Sequence, residues 1–210
     1  MKCGFDRLAA IYDGLELIAF GGALRRSQAR LLNELPPVSR ALVVGGGTGL
    51  FLEQLAKRDD VEIVCIDISQ AMLDRSKALI SRRLPDALPR IRFLQADVAE
   101  FASETPFDLI CTMCVLDCFD DAELAKAMDA LSAQLAPNGT WLFHDFEPQG
   151  PFGRAIVWML YRFFRHTVAI SANRLPDLPA AFVRCGFAEF ASRRDISGLV
   201  VSRLYRKSPL

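Results

Sequence analysis

The chain has 210 residues, of which 51% are apolar and 24% charged, and its 25 basic residues are balanced by 25 acidic ones. This composition is typical of a folded globular protein and excludes a disordered chain. A net charge of zero excludes bulk electrostatic attraction to nucleic acid or to anionic lipid.

No apolar run reaches the roughly 20 residues that a membrane-spanning helix needs. The longest in the second half, 155–170, is interrupted by Arg162, Arg165 and His166. Charges recur along the N-terminus, where no uninterrupted apolar stretch ends in a cleavage site, so we see no secretory signal. We therefore expect a cytoplasmic protein with no nucleic-acid partner and no stable membrane insertion.

We expect one domain over residues 1–210, organised in three parts. Residues 1–37 are predicted to form a helical N-terminal cap, broken near 20–22 and ended by Pro36 and Pro37. Residues 38–147 form the core, and residues 148–210 add further helices and a terminal β-hairpin.

The core alternates short β-rich runs with longer helical patterns, which is typical of an α/β fold with a parallel sheet. The predicted strands are 41–44, 61–66, 91–94, 107–113 and 140–143, and the predicted helices are 50–58, 70–81 and 121–135. The strands are continuous apolar runs, as buried parallel strands are. Ser69 is the expected N-cap of the second helix, and Asn138 and Gly139 form the expected turn into the fifth strand.

The last sixty residues have a different pattern. An aromatic helix is predicted over 152–166, and a further helix over 178–185 ends at Gly186. Segments 187–196 and 199–206 read as two strands joined by a two-residue loop, which predicts an antiparallel hairpin.

Six cysteines are present, and three of them follow the pattern Cys111-x2-Cys114-x3-Cys118. A tetrahedral metal site needs a fourth ligand, and the sequence offers no nearby His or Cys to supply it. We therefore interpret these cysteines as buried core residues and expect no metal.

A glycine-rich turn follows the first strand, and an acid follows the second. Gly47 and Asp67 are 20 residues apart, the spacing expected of a nucleoside site, in which a carboxylate accepts the ribose hydroxyls. The dinucleotide fingerprint G-x-G-x-x-G is not met, because Leu50 stands at its third glycine. This spacing argues against a pyrophosphate ligand.

With these motifs the chain resembles the class I S-adenosylmethionine-dependent methyltransferases, and within them a small bacterial subgroup similar to the quinone-pathway enzymes. The matching segments, in the family's order, are 43–49, 67, 95–98, 107–110, 115–117, 135–140 and 185–187. The resemblance implies a Rossmann-like, three-layer α/β/α fold whose seven-stranded sheet is mostly parallel, with an antiparallel last strand. It also implies S-adenosyl-L-methionine as the cofactor and a small-molecule methyl acceptor.

The resemblance further assigns cofactor-binding residues. The turn of Gly45, Gly46, Gly47, Thr48 and Gly49 would pass under the methionine part of the cofactor.

Downstream, Asp67 would hold the ribose hydroxyls and Ile68 would pack against adenine. Asp97 would accept from the adenine amino group, Val98 would offer a backbone contact, and Cys114 would lie at the same edge. The alternative for both aspartates is a helix-capping role.

Two residues after strands four and five are candidates for proton transfer to or from the acceptor, because active sites of open α/β sheets lie at the carboxyl ends of the strands. Asp117 is one, unless it caps the helix that begins near Asp120. His144 is the other, with a satisfied strand-end histidine as the alternative.

Substrate selection is expected outside the sheet. Tyr12 lies where the quinone-pathway relatives have a Tyr-Asp pair near the cofactor, and Trp158 and Tyr161 are candidates to wall an apolar or aromatic acceptor. A core-packing stripe is the alternative for the two aromatic residues. Arg154, Arg162 and Arg165 either contact an anionic acceptor or form a solvated face.

Two other functions are considered. A nicotinamide-dependent oxidoreductase is disfavoured by Leu50 and by the absence of a Tyr-x3-Lys arrangement. A non-catalytic S-adenosylmethionine-binding protein would explain why Val43 replaces the acid that the family often has two residues before the first glycine. The other glycines and acids of the motif are in place and argue against that loss of activity.

Overall fold

The structure is a computed structural model, which describes residues 23–168, 172 and 174–208. The helices in this part are α1 (Ala23–Gln28), α2 (Leu50–Ala56), α3 (Gln70–Arg83), α4 (Asp121–Gln134), α5 (Gly150–Val168) and α6 (Leu178–Arg184). The strands are β1 (Arg40–Val44), β2 (Glu62–Asp67), β3 (Ile91–Gln95), β4 (Phe107–Met113), β5 (Leu135–Phe146), β6 (Phe187–Asp195) and β7 (Val200–Lys207). The predicted N-terminal helices before residue 23 lie outside the described residues, as does Tyr12.

The strands form one seven-stranded sheet in the order β3-β2-β1-β4-β5-β7-β6. Strands β1 to β5 are parallel to one another, whereas β7 is antiparallel to both β5 and β6. The predicted fold, a mostly parallel sheet with an antiparallel last strand, is therefore confirmed.

Helices cover both faces of the sheet and bury a core on each side. On one face, Leu52 and Leu55 of α2 and Ile80 of α3 pack against the inner strands. On the other face, Leu124 and Leu131 of α4 pack there together with residues of α6. Each buried aliphatic side chain of this kind contributes about 1.5–3 kcal/mol to folding.

An aromatic cluster fixes the C-terminal hairpin against the centre of the sheet. Trp141 on β5 meets the rings of Phe182 and Phe187 edge to face, at centroid distances of 5.0 and 5.4 Å. Its indole N–H donates to Thr112 Oγ1 at 3.1 Å, so the buried polar group is satisfied.

The residue types at two helix ends were predicted correctly from the sequence. Ser69 accepts from the backbone N–H of Met72 and caps α3, as predicted. Gly186 follows α6 with a φ of 76°, a left-handed conformation that glycine adopts without strain.

Two predicted turns were wrong in detail. The fifth strand begins at Leu135 rather than 140, and residues 136–139 form an irregularity between the pairs Phe107–Leu135 and Leu109–Thr140. The hairpin connection spans 196–199 and contains a short helical turn at Ile196–Gly198, so it is longer than the two-residue loop.

Within the described residues, no helix is both long and apolar enough to cross a lipid bilayer.

Candidate functional site

A cleft opens at the carboxyl edge of the sheet, where β1, β2 and β4 end side by side. Val44 on β1 lies in register with Ile66 on β2 and Thr112 on β4, so the loops that follow these strands surround one space. The cleft encloses about 760 Å³ of space, its open mouth included. The predicted cofactor residues that line it are Gly45, Gly47, Asp67, Ile68, Asp97, Val98 and Cys114.

The glycine turn brings its backbone to the wall of this cleft. Gly47 has a φ of 55°, and a Cβ built there meets no atom within 4 Å. Gly45 is confined instead, because a Cβ there would lie 1.9 Å from Cγ2 of Val115. One glycine therefore leaves room beside the cleft, and the other lets two loops touch.

Gly46, Thr48 and Gly49 do not line the cleft, although the motif assigned them to it. Thr48 is buried, and Gly49 is the N-cap residue of α2. A Cβ on Gly49 would lie 2.8 Å from the Cα of Ser76 on α3, so this glycine permits close packing of the turn on that helix. Their direct contact with a cofactor stays a prediction.

The two predicted ligand acids stand at the ends of neighbouring strands and have fixed orientations. Asp67 Oδ1 accepts from the backbone N–H of Ser69 at 2.9 Å, and Asp97 Oδ1 accepts from that of Ala99 at 3.0 Å. In each case the aspartate side chain bonds to the backbone N–H two residues later, which forms an Asx turn. Since Ser69, not Asp67, caps α3, the first acid is not the helix cap that we considered as its alternative.

Apolar side chains make up most of the remaining wall. Ile68 and Val98 line the cleft together with Met72 and Phe119, which the sequence reasoning missed. Met72 lies in the first turn of α3 just after Asp67, and that position was a usable signal. Phe119 was not identifiable in this way, because its place depends on the path of the loop after β4.

The cysteine prediction was partly wrong. Cys111 is buried in β4, as expected, whereas Cys114 and Cys118 are partly exposed and line the cleft. Cys114 has a φ of 51°, and its N–H donates to the backbone oxygen of His144 at 2.8 Å. Among the described residues no group of three His, Cys, Asp or Glu side chains could hold a metal ion.

Asp117 lies in the loop after β4 and is buried next to the cleft. Its backbone N–H donates to Oδ2 of Asp145 on β5 at 3.2 Å, and the thiol of Cys118 donates to its Oδ1 at 3.4 Å. From α5, the hydroxyl of Tyr161 donates to the backbone oxygen of Asp117 at 2.6 Å. The cap of α4 is Asp120, so the alternative role of Asp117 as that cap is wrong.

The carboxyl groups of Asp117 and Asp145 lie close enough for the charge of one to affect the other. Burial raises the pKa of both, and that of Asp145 is raised well above its ordinary value because the charge of Asp117 adds to the effect. The pair therefore retains a proton to higher pH than a free aspartate does.

His144 lies on β5 and is fully buried. Its Nδ1 lies 2.8 Å from Ser202 Oγ, which donates to the backbone oxygen of Ser27 at 3.1 Å, so Nδ1 carries the proton. Nε2 is buried and has no hydrogen-bond partner among the described residues. Burial lowers the pKa of His144 to about 3, so the ring is neutral at neutral pH. His144 does not line the cleft, and its catalytic role stays a prediction.

The predicted substrate residues Trp158 and Tyr161 lie together on α5 and line a second cavity beside the end of β5. Tyr161 is buried, which fits the packing alternative, whereas Trp158 is 66% exposed and is not part of the core. Their contact with an acceptor stays a prediction, as does that of Tyr12, which lies outside the described residues.

Comparison with known proteins shows that part of the chain is similar in sequence to an enzyme family. Residues 41–139, which hold the glycine turn, both ligand acids and Asp117, match the family model described as "Methyltransferase domain". Nodulation protein S of Rhizobium tropici is 35% identical over 108 residues, which are 51% of this chain and 43% of that protein. The chain thus spans less than half of the length of this curated relative.

Solved methyltransferases share the fold. N-methyltransferase NodS of Bradyrhizobium japonicum, crystallised with S-adenosyl-L-homocysteine, superposes with a TM-score of 0.67 at 19% identity, covering 88% of this chain and 86% of that one. A 1,6-didemethyltoxoflavin-N1-methyltransferase of Burkholderia thailandensis gives a TM-score of 0.71 at 20% identity, covering 99% and 88%. At these identities the likeness establishes the fold.

Proposed function

We propose that this chain is a class I S-adenosylmethionine-dependent methyltransferase, which binds S-adenosyl-L-methionine in the cleft and methylates a small-molecule acceptor. The observation that carries the proposal is the convergence of the glycine turn, Asp67 and Asp97 at one sheet edge within the matched family segment. NodS and the toxoflavin-pathway enzyme, both crystallised with S-adenosylhomocysteine, support the choice of cofactor. The same observations favour this reading over a nicotinamide-dependent oxidoreductase.

The residues of the cleft fit the cofactor part by part. The open space beside Gly47 suits the methionine portion, and the carboxylate of Asp67 suits the two ribose hydroxyls. Asp97 would accept from the adenine amino group, while Ile68 and Val98 would cover the faces of the ring. The bound cofactor supplies an activated methyl group on a sulfonium, so the protein needs chiefly to bind, orient and exclude water.

The loop after β4 performs the exclusion of water. Val115 and Phe119 place apolar side chains on the wall of the cleft, and Met113 closes the wall from the end of β4. This loop is held from outside by the oxygen of His144, by Asp145 and by Tyr161. A wall fixed at three points keeps the acceptor and the cofactor in one orientation.

A base is needed only for an acceptor that loses a proton during methylation. Asp117 is the better placed of the two predicted candidates: it does not line the cleft itself, but its neighbour Cys118 does, and the thiol of Cys118 donates to its Oδ1. His144 is neutral and has an available Nε2 lone pair, but it is fully buried and lines neither cavity. The location we propose is the cytoplasm, since the five described cysteines are all free thiols.

Turnover measurements with variants test these roles. Purified protein is incubated with S-adenosylmethionine and a panel of small aromatic and apolar acceptors, and release of S-adenosylhomocysteine is measured. We expect Asp117→Asn to reduce turnover by about a hundredfold, as loss of a general base does, with little change in cofactor affinity. His144→Gln is compared in the same way. Wild-type rates from both variants would remove both residues from the mechanism, and no turnover across the panel would favour a non-catalytic binding protein.

A further inference from the structure

The second cavity, which we name the α5 cavity, lies where the chain leaves β5 and enters α5. Its walls come from Glu147 and Pro148 after β5, from Arg154, Val157, Trp158 and Tyr161 of α5, and from Arg174 and Leu175 before α6. The four α5 residues are spaced by three, one and three positions, so they share one face of the helix.

The lining has an apolar part with an aromatic edge. Val157 and Tyr161 are buried and pack with Leu175 in a small core separate from those on the two faces of the sheet. Trp158 stands at the rim, 66% exposed. An exposed tryptophan beside an apolar floor offers a flat surface on which a planar ligand can stack.

The charge of the cavity is positive, because its one acid is already neutralised. Glu147 accepts from Arg203 and Arg194, and despite its partial burial these guanidinium groups lower its pKa. Arg154 makes no ion pair with any residue that the structure describes. Arg174 lies 2.8 Å from Asp121, but both side chains are about 70% exposed or more, and such a pair is weak in water.

Only a thin wall separates the α5 cavity from the cofactor cleft. Tyr161 lines the cavity and donates to the backbone oxygen of Asp117, and the next residue, Cys118, lines the cleft. The backbone oxygen of Cys118 accepts from the N–H of Ala172, so the segment before α6 is tied to the same wall. The two spaces therefore share a boundary, and an acceptor held in the cavity must extend past this boundary for its reacting atom to meet the methyl group of the cofactor.

We propose that the α5 cavity binds a methyl acceptor that carries a carboxylate on a planar apolar body. Arg154 and Arg174 hold the carboxylate, while Trp158 and Val157 contact the planar part. The role of the bound molecule as an acceptor rests on the proposed methyltransferase function, but its binding to the cavity can be tested without turnover.

Three probes of equal shape and different charge test the proposal: 2-naphthoate, 2-naphthamide and 2-naphthylmethylamine. Each is titrated calorimetrically into wild-type protein saturated with S-adenosylhomocysteine. Since a charge-assisted hydrogen bond is about twice as strong as a neutral one, we expect the naphthoate to bind about tenfold more tightly than the amide. The amine should bind most weakly of the three.

Variants then locate the binding. Arg154→Gln and Arg174→Gln should each weaken naphthoate binding by about fivefold and leave the amide unchanged. Arg184→Gln on α6, which removes an exposed guanidinium that does not line the cavity, is the matched control and should have no effect. S-adenosylhomocysteine affinity is measured for every variant.

The outcomes separate this inference from the proposed function. Cofactor binding with equal affinity for all three probes, or with naphthoate binding that neither arginine variant weakens, would overturn the acceptor class and leave the methyltransferase standing. Cofactor binding without any probe binding would overturn it as well. Naphthoate binding that depends on Arg154, in a protein that does not bind S-adenosylhomocysteine, would support the cavity and contradict the proposed function.

Discussion

Oδ2 of Asp145 accepts a hydrogen bond from the backbone N–H of Asp117 at 3.2 Å, and the carboxyl groups of both residues are buried. Neither acid forms an ion pair with a basic side chain in the described part of the chain. Two buried carboxylates that lie beside each other cannot both be charged without a large penalty, so the pair retains a proton. The bond from the N–H of Asp117 to Asp145 ties the loop after β4 to β5.

The first prediction concerns stability against pH. Asp145 has a raised pKa in the folded protein and a pKa near 3.8 when unfolded, so its stabilising contribution is present below about pH 4 and is lost as pH rises. Asp145→Asn removes the titrating group and keeps one of the two backbone N–H bonds that Asp145 accepts from Asp117 and Phe146, so the loss of the other adds a cost that does not depend on pH. The free energy of unfolding of wild type, relative to this variant, should fall by up to about 1.4 kcal/mol per pH unit above pH 4.

Urea unfolding of both proteins between pH 4 and pH 7 measures this difference. His144, whose lowered pKa acts in the opposite direction, is common to both proteins and cancels. A pH-independent difference for Asp145→Asn would mean that the pair does not retain its proton.

The second prediction concerns Asp67. Asp67→Ala should weaken S-adenosylhomocysteine binding by at least about a hundredfold, because it removes the acceptor for two ribose hydroxyls. The substitution also removes the bond to the N–H of Ser69. Ser69→Ala, which removes the cap of α3 instead, should cost about 1 kcal/mol of stability and leave affinity nearly unchanged. Equal affinity for wild type and Asp67→Ala would refute the ribose assignment.

The third prediction separates steric conflict from backbone strain in the glycine turn. Gly45→Ala should destabilise the fold by about 2–4 kcal/mol, because its Cβ collides with Val115 Cγ2 at a residue whose φ is already positive. Gly47→Ala should cost only about 1 kcal/mol, since its Cβ meets open space and only the strain remains.

A double-mutant cycle checks the cause. Val115→Ala should recover about 1 kcal/mol of the loss in Gly45→Ala and none of the loss in Gly47→Ala, as measured by urea unfolding. Identical behaviour of the two glycine variants would contradict the contact between the turn and the loop after β4.

The fourth prediction concerns the bond between α5 and that loop. Tyr161→Phe removes a single hydroxyl and leaves the buried backbone oxygen of Asp117 without its donor from α5, so it should cost about 1–2 kcal/mol. Amide hydrogen exchange should accelerate in 150–168 more than in α4. Unchanged exchange in that helix would show that the hydroxyl does not hold it.

Much of the fold could be predicted from the sequence because its signals are local and repeated. The apolar runs that became β1 and β4 each had a continuous pattern, and β4 was predicted with its bounds, Phe107–Met113, correct. The start of β5 was misplaced, because residues 136–139 are accommodated by an irregular pairing with β4 that no local pattern encodes. The match of residues 41–139 to a methyltransferase family model agrees with the resemblance that the motifs suggested.

The sequence predicted only those residues of the cleft whose position follows from the end of a strand. Asp67 is the last residue of β2, and Asp97 comes two residues after the end of β3. The parallel sheet therefore brings both to one edge. The partner of Asp117 was not predicted, because Asp145 comes from a different strand and its role depends on which face of β5 it occupies. The α5 cavity likewise depends on how α5 returns over the end of the sheet.

The most direct test of the account is a calorimetric titration of wild-type protein with S-adenosylhomocysteine, with NAD and NADP as parallel controls. The account predicts saturable one-to-one binding of S-adenosylhomocysteine, loss of that binding in Asp67→Ala, and no heat from either nicotinamide cofactor. A clear nicotinamide signal with no response to S-adenosylhomocysteine would contradict the assignment of the cleft and with it the proposed reaction.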